Sequence, residues 1–139
     1  VITPHYRELA RVIGAEVQDI SDDPATAAAK AADLLGTTVL LKGHTTYIAA
    51  PDGTRLMTSS GPSWLATAGS GDALGGVLGA LVATHAKEIA ADSHDLARFV
   101  ATAAVIHGLA GKRASKGGPF TILDLAAALP AVIATLLES

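Results

Sequence analysis

Apolar and polar positions along the chain follow two rhythms, and the switches between them divide it into elements. Val1-Ile2-Thr3 sets two β-branched apolar residues ahead of the Thr3-Pro4 break and reads as the end of a strand. Leu9, Val12 and Ile13 share one face of a helix that Gly14 stops. The acidic Ser21-Asp22-Asp23-Pro24 opens a second helix through Ala25 to Leu35, with Pro24 in its first turn and Gly36 at its end. Thr37 to Leu41 is β-branched and continuously apolar, as in a strand covered on both faces, and is expected as a central parallel strand closed by Lys42-Gly43. Two short extended runs, Thr45 to Ala50 and Thr54 to Thr58, flank Pro51-Asp52-Gly53 and predict a hairpin with an exposed tip. After a loop from Ser59 to Thr67, helices are expected at about 73–85, 95–113 and 122–137, with Gly117-Gly118-Pro119 between the last two.

The first of these three helices carries Leu74, Val77, Leu78, Leu81 and Val82 on one broad apolar face. Gly75, Gly76 and Gly79 are poor helix formers, and their presence there predicts close backbone packing. No internal repeat or linker marks a second domain, so residues 1–139 are taken as one unit.

Composition narrows the function. With 50% hydrophobic and 17% charged residues the chain buries a real core, and 4% aromatic residues leave no stacking platform for nucleic acid. A net charge of −3 without a run of Lys or Arg gives no electrostatic footprint for nucleic acid or an anionic membrane, and a small-molecule partner is expected. The absence of cysteine excludes disulfides and thiolate chemistry and agrees with a cytoplasmic location. His5, His44, His85, His94 and His107 show no metal-ligand spacing, so no metal site built from side chains is expected. The longest apolar stretch, Phe99 to Gly111, is interrupted by His107 and falls short of the ~18 residues that would suggest a membrane span.

The most informative stretch is Leu65-Ala66-Thr67-Ala68-Gly69-Ser70-Gly71-Asp72, running into the apolar helix. Gly69, Ser70 and Gly71 let the backbone turn sharply, so that the amides of Gly69, Ser70, Gly71 and Asp72 converge as an anion hole at a helix N-terminus. Asp72 beside a phosphate cradle would repel the anion, which argues for a general base acting on a hydroxyl; the alternative is an N-cap after an ordinary connector. No Lys-Ser/Thr follows as in a Walker loop, and the third glycine of a dinucleotide fingerprint would fall on Leu74.

Three segments in order, Thr3-Pro4-His5-x-x-Glu8, Lys42-Gly43-His44-Thr45-Thr46 and Ala66 to Asp72, resemble the NAD(P)H-hydrate dehydratase family, carbohydrate-kinase-related lyases of ribokinase-like fold. His107-Gly108-Leu109-Ala110-Gly111 and the helix with Asp124-Leu125 match too. The resemblance implies a three-layer α/β/α fold with a mostly parallel sheet and a β-hairpin. It covers the whole chain but only about the C-terminal half of the family's domain, so a partner chain or a structured remainder is expected beside Val1-Ile2, and the assembly is expected to be a homo-oligomer.

The family reaction restores hydrated NADH or NADPH, using ADP or ATP to phosphorylate the ring hydroxyl before phosphate is eliminated. By that resemblance Asp72 is the catalytic base and, with His5, binds the hydrated nicotinamide nucleotide. Lys42, Gly43, His44, Thr45, Thr46 and Gly71 hold the adenine nucleotide, and Mg2+ accompanies its phosphates without a side-chain cage. Each has a plainer reading: His5 as a cap, Lys42 as a solvated lysine, Thr45 and Thr46 as strand residues, Glu8 as a salt-bridge or cap partner. His107 reads as a hydrogen-bonded core residue, and Trp64 either walls the nucleotide site or seals the core. The family often shows Thr-Gly-Asn before the cradle, where this chain has Ser60-Gly61-Pro62-Ser63-Trp64. A kinase of the same fold acting on a thiamine-precursor alcohol and a non-catalytic nucleotide-binding fragment remain as alternatives.

Overall fold

A computed structural model describes residues 1–138. Three helices come first: α1 (Tyr6–Ile13), α2 (Val17–Asp22) and α3 (Pro24–Leu35). Glycines in the left-handed region end two of them, Gly14 at φ 66° and Gly36 at φ 60°, as the sequence suggested. Three strands follow, β1 (Val39–Leu41), β2 (Thr46–Ala49) and β3 (Arg55–Thr58), then a single 3₁₀ turn at Ser63–Leu65. The chain closes with α4 (Ser70–Thr84), α5 (Ala86–Ala91), α6 (His94–Ser115) and α7 (Ile122–Glu138).

Side-chain alternation along β1 and β2 sorts the core into two sides of one sheet. Val39, Leu41 and Ala49 pack with Leu9, Ala28, Ala31 and Ala32 of α1 and α3. Leu40, Ile48 and Ala50 pack with Leu74, Leu78, Ala97, Val100 and Ala103 of α4 and α6. The expected three layers are present, with β1 buried on both faces. A further cluster, Ile106, Ala110, Leu125 and Val132, fastens α7 onto the outer side of α6.

Several expectations change. The three strands pair antiparallel in the order β1-β2-β3, and parallel pairing is confined to the bridges Ile2↔Val39 and His5↔Lys42. Val1 to Thr3 therefore contributes a bridge: Ile2 N–H donates to the Thr38 carbonyl at 3.0 Å and its carbonyl accepts from Leu40 N–H at 2.9 Å, and the next residue on that side, Pro4, has no N–H to donate. Helix α2 occupies a stretch to which the sequence assigned no element, and Ser21-Asp22 end it instead of opening α3. Helix α4 starts at Ser70, three residues before the expected start, and α5 follows it. The hairpin tip Pro51-Asp52-Gly53 is exposed, with Gly53 at φ 92°.

The glycines that serve close packing are not those expected. A Cβ placed on Gly75, Gly76 or Gly79 meets nothing within 4 Å, since all three sit on the outward side of α4. Close approach belongs to α6 and the loop before α4. A Cβ on Gly108 would strike Ser60 Oγ and lie 2.9 Å from Gly61 N, and one on Gly111 would lie 2.7 Å from Leu65 Cδ2. Among the described residues no helix is long and apolar enough to cross a membrane.

Candidate active site

A cleft of about 930 Å³ opens where the start of α1, the end of β1 and the N-terminus of α4 meet. It gathers residues far apart in sequence: His5, Lys42, Gly43, His44, Thr46, Gly69, Ser70, Gly71 and Asp72 all line it. Thr45 is not among its lining residues. Chain direction explains the gathering, because the parallel bridge between His5 and Lys42 brings the end of the N-terminal segment beside the end of β1. Lys42 N–H donates to the Pro4 carbonyl at 2.8 Å and holds that register.

His5 takes the capping role that its position suggested and still faces the cleft. Its backbone N–H donates to Glu8 Oε2 at 2.7 Å, and Glu8 N–H donates to its Nδ1 at 3.2 Å, a reciprocal capping box. Because Nδ1 accepts, the neutral ring carries its proton on Nε2, which lies 3.4 Å from Glu8 Oε1. Glu8 also reaches Lys42, Oε2 to Nζ 3.7 Å, so both the cap and the salt-bridge reading of Glu8 hold, with the partner just past β1 instead of on the helix's own face. The bond from the His5 backbone, reinforced by the Lys42 charge, holds the Glu8 carboxyl below the ordinary glutamate value. Lys42 Nζ in turn stands 3.3 Å from where a Cβ on Gly71 would sit, so the ammonium lies against the first turn of α4.

The N-terminus of α4 differs from those of α1 and α3. The latter two are closed by side chains, His5 and Asp23, whereas Gly69 precedes α4 at φ 82° with no side-chain cap. Ala73 N–H donates to the Gly69 carbonyl at 3.0 Å as the first bond of the helical ladder. The amides of Gly71 and Asp72 come before that bond and have no acceptor within the helix. One amide of the expected anion hole is already used: Ser70 N–H donates to the Thr67 carbonyl at 3.3 Å as the loop turns into the helix. Asp72 lies in the first turn, exposed and at the cleft, and the cap position belongs to Gly69. The N-cap reading of Asp72 is thereby removed.

Behind the cradle, His107 of α6 is buried against Ser70. Its Nε2 lies 3.0 Å from the Ser70 carbonyl and 3.2 Å from Ser70 Oγ; a carbonyl only accepts, so Nε2 carries the proton. Burial pushes the imidazole below the usual histidine value and the nearby Lys42 charge adds to this, against the opposing pull of the Ser70 bond. The expectation of a hydrogen-bonded core histidine holds, and the side chain also lines the cleft. Trp64 is 49% exposed and lines neither cleft nor core. Ser60 and Gly61, at the departure from the Thr-Gly-Asn pattern, line the cleft wall.

Comparison with known proteins bears on this geometry. The family described as NAD(P)H-hydrate dehydratase has a sequence profile that matches residues 1–130. The chain belongs to that family. An ADP-dependent (S)-NAD(P)H-hydrate dehydratase of Neisseria meningitidis is 46% identical over 83 residues, which is 60% of this chain and 28% of that protein. The ADP/ATP-dependent NAD(P)H-hydrate dehydratase of Bacillus subtilis, co-crystallised with ATP/Mg2+, superposes with a TM-score of 0.82 at 28% identity, covering 96% of this chain and 46% of that one. A ribokinase-like superfamily protein of Enterococcus faecalis superposes with a TM-score of 0.78 at 25% identity over 96% of this chain and 43% of that one. The fold is ribokinase-like, and the chain spans less than half the length of these family relatives.

Proposed function

We propose that this chain supplies the C-terminal half of a ribokinase-like domain that repairs hydrated NADH or NADPH at the expense of ADP or ATP. The observation that carries the proposal is the convergence, at one cleft, of a helix N-terminus without a side-chain cap, a lysine ammonium against it and an exposed carboxylate in its first turn. An amide pair and a cation aimed at the same space suit a phosphoryl group. A carboxylate beside them suits the removal of a hydroxyl proton.

In the proposed reaction Asp72 accepts the proton of the ring hydroxyl as its oxygen attacks the terminal phosphorus of the nucleotide. The bond to the leaving phosphate breaks, and AMP or ADP departs. The Gly71 and Asp72 amides and Lys42 stabilise charge on the transferring group. The phosphate ester then eliminates, with the ring losing a proton, so that dihydronicotinamide and inorganic phosphate result. His5 contacts the hydrated nicotinamide nucleotide, while Lys42, Gly43, His44, Thr46 and Gly71, which line the cleft, hold the adenine nucleotide.

Mg2+ fits the cleft as a companion of phosphates. Two carboxylates, Glu8 and Asp72, line it, and among the described residues no three potential ligands cluster into a protein cage. Such a site is usual for Mg2+, which keeps waters and shares one or two carboxylates with substrate phosphates. When bound it would neutralise phosphate charge. The setting proposed is the cytoplasm, with small-molecule substrates and a homo-oligomeric assembly.

Two measurements test this: ADP binding by calorimetry, and ADP-dependent recovery of NADH absorbance from hydrated NADH. Asp72→Asn should keep ADP affinity and lower turnover by about 10²–10⁴-fold, the usual worth of a general base. Accumulation of a stable phosphorylated alcohol with hydrated NADH left unrepaired would favour a kinase. ADP binding without phosphate release, even after the N-terminal half of the domain is added, would favour a non-catalytic nucleotide-binding module. Absence of binding of both ADP and ATP would overturn all three.

A further inference from the structure

We propose that His107 is the positioning residue of the anion cradle: its Nε2–H, shared by the Ser70 carbonyl and hydroxyl, sets the first turn of α4 so that Gly71 and Asp72 face the cleft. The inference rests on the proposal that this cleft takes a phosphorylated ligand.

Burial makes the contact consequential. Ser70 and His107 are 6% and 8% exposed, so losing either partner leaves a polar group stranded away from water. The bond joins residues 37 positions apart, on two different helices. The other support of the turn is packing without a hydrogen bond, Ile122 Cγ1 lying 3.4 Å from where a Cβ on Gly69 would sit. Gly69 gives the turn no side-chain cap, residues 66–68 are exposed, and the Ser70 amide holds Thr67 only at 3.3 Å. Among the described residues, the hydrogen bonds that tie this first turn to another element are the two made by His107.

The same stretch of α6 also seats the loop that leads into the cradle. Gly108 admits the Ser60–Gly61 backbone, and Gly111 admits Leu65. One helical stretch, His107 to Gly111, therefore fixes the approach to the cradle through two bare backbone positions and its exit through one imidazole. His107 touches no substrate in this scheme and acts through Ser70.

The test compares His107→Phe, which keeps bulk and loses the donor, with His107→Gln, whose amide can still donate to Ser70. ADP and inorganic phosphate are titrated by calorimetry into the wild-type chain and both variants, with thermal melts in parallel. We expect H107F to lose ADP affinity at least about tenfold and H107Q to stay within about threefold of wild type, the scale of one buried hydrogen bond. A purely structural role would lower the melting temperature of both without separating their ADP affinities. Should H107F fail to fold, His107→Asn replaces it, since the shorter amide stops short of Ser70 and the same loss is expected. If the folded donor-free variant binds ADP as tightly as wild type, or H107Q binds as poorly as that variant, the inference is wrong. Failure of the wild type itself to bind ADP or phosphate would instead defeat the functional proposal on which it stands.

Discussion

Replacing one glycine on each side of the cradle separates backbone contact from helix propensity. In α4, Gly79 faces open space with an ordinary negative φ, so Gly79→Ala gains helix propensity without a clash, about 1 kcal/mol. For a chain of this size that raises the melting temperature by roughly 3–5 °C. In α6, Gly108→Ala gains the same propensity, but its Cβ would lie 2.9 Å from Gly61 N and 3.1 Å from Ser60 C. Those are backbone atoms, and no side-chain rotation relieves them. Overpacking of this kind costs about 1–3 kcal/mol, which leaves a net loss of about 1 kcal/mol after the propensity gain. Urea unfolding of wild type and both variants at constant m-value gives the order G79A above wild type above G108A. Equal stabilisation by the two alanines would refute the close seating of the loop on α6, and with it the mechanical link between α6 and the cradle.

Further outcomes follow from burial and charge. Leu125, wholly buried between α6 and α7, should cost about 2–5 kcal/mol when cut to Ala, whereas Leu123→Ala, at a residue 76% exposed, should change stability by under about 0.5 kcal/mol; chemical denaturation reads both. Acid should destabilise the fold in two stages. The unfolded chain takes up the His107 proton near pH 6.5 while burial keeps the folded imidazole neutral, so stability present above that value declines as pH falls through the lower folded value. Glu8, held below its ordinary 4.5, contributes stability present above that pH and lost as pH falls through its folded value. Melting temperatures taken from neutral pH downward should fall in the first window, and a rise there would contradict the buried neutral histidine.

Long periodic elements were legible before the structure. The doubly buried β1, the inward faces of α4 and α6, and the end of α3 at Gly36 all follow from side-chain spacing and left-handed glycine. Helices α2 and α5 were not, because six residues are too few to display a helical period. The start of α4 was misplaced for a tertiary reason. Gly69-Ser70-Gly71 is poor helix-forming sequence, and His107, 37 residues away, draws Ser70 and Gly71 into the first turn. Glycine spacing marks a possible close approach but not which face meets a neighbour, so the role expected of Gly75, Gly76 and Gly79 belongs to Gly108 and Gly111. The pair at i and i+3 in His107-Gly108-x-x-Gly111 was the available signal. Of the site, the three matched segments do reach one cleft, Thr45 excepted. Glu8 was legible as a salt-bridge or cap partner, but Lys42 as its mate stayed hidden because the two are far apart in sequence and the parallel bridge between His5 and Lys42 brings them together.

Gly69 in its left-handed conformation carries an entropic consequence. A glycine surrenders more backbone freedom on folding than any other residue, so the turn ahead of α4 is the place where that helix frays most readily if left alone. Its order is borrowed from α6. The Ser70 amide proton, bonded to the Thr67 carbonyl, therefore exchanges with solvent at a rate governed by how often α6 lets go, whereas the open amides of Gly71 and Asp72 exchange freely until a ligand covers them and the remainder of α4 stays protected by the sheet.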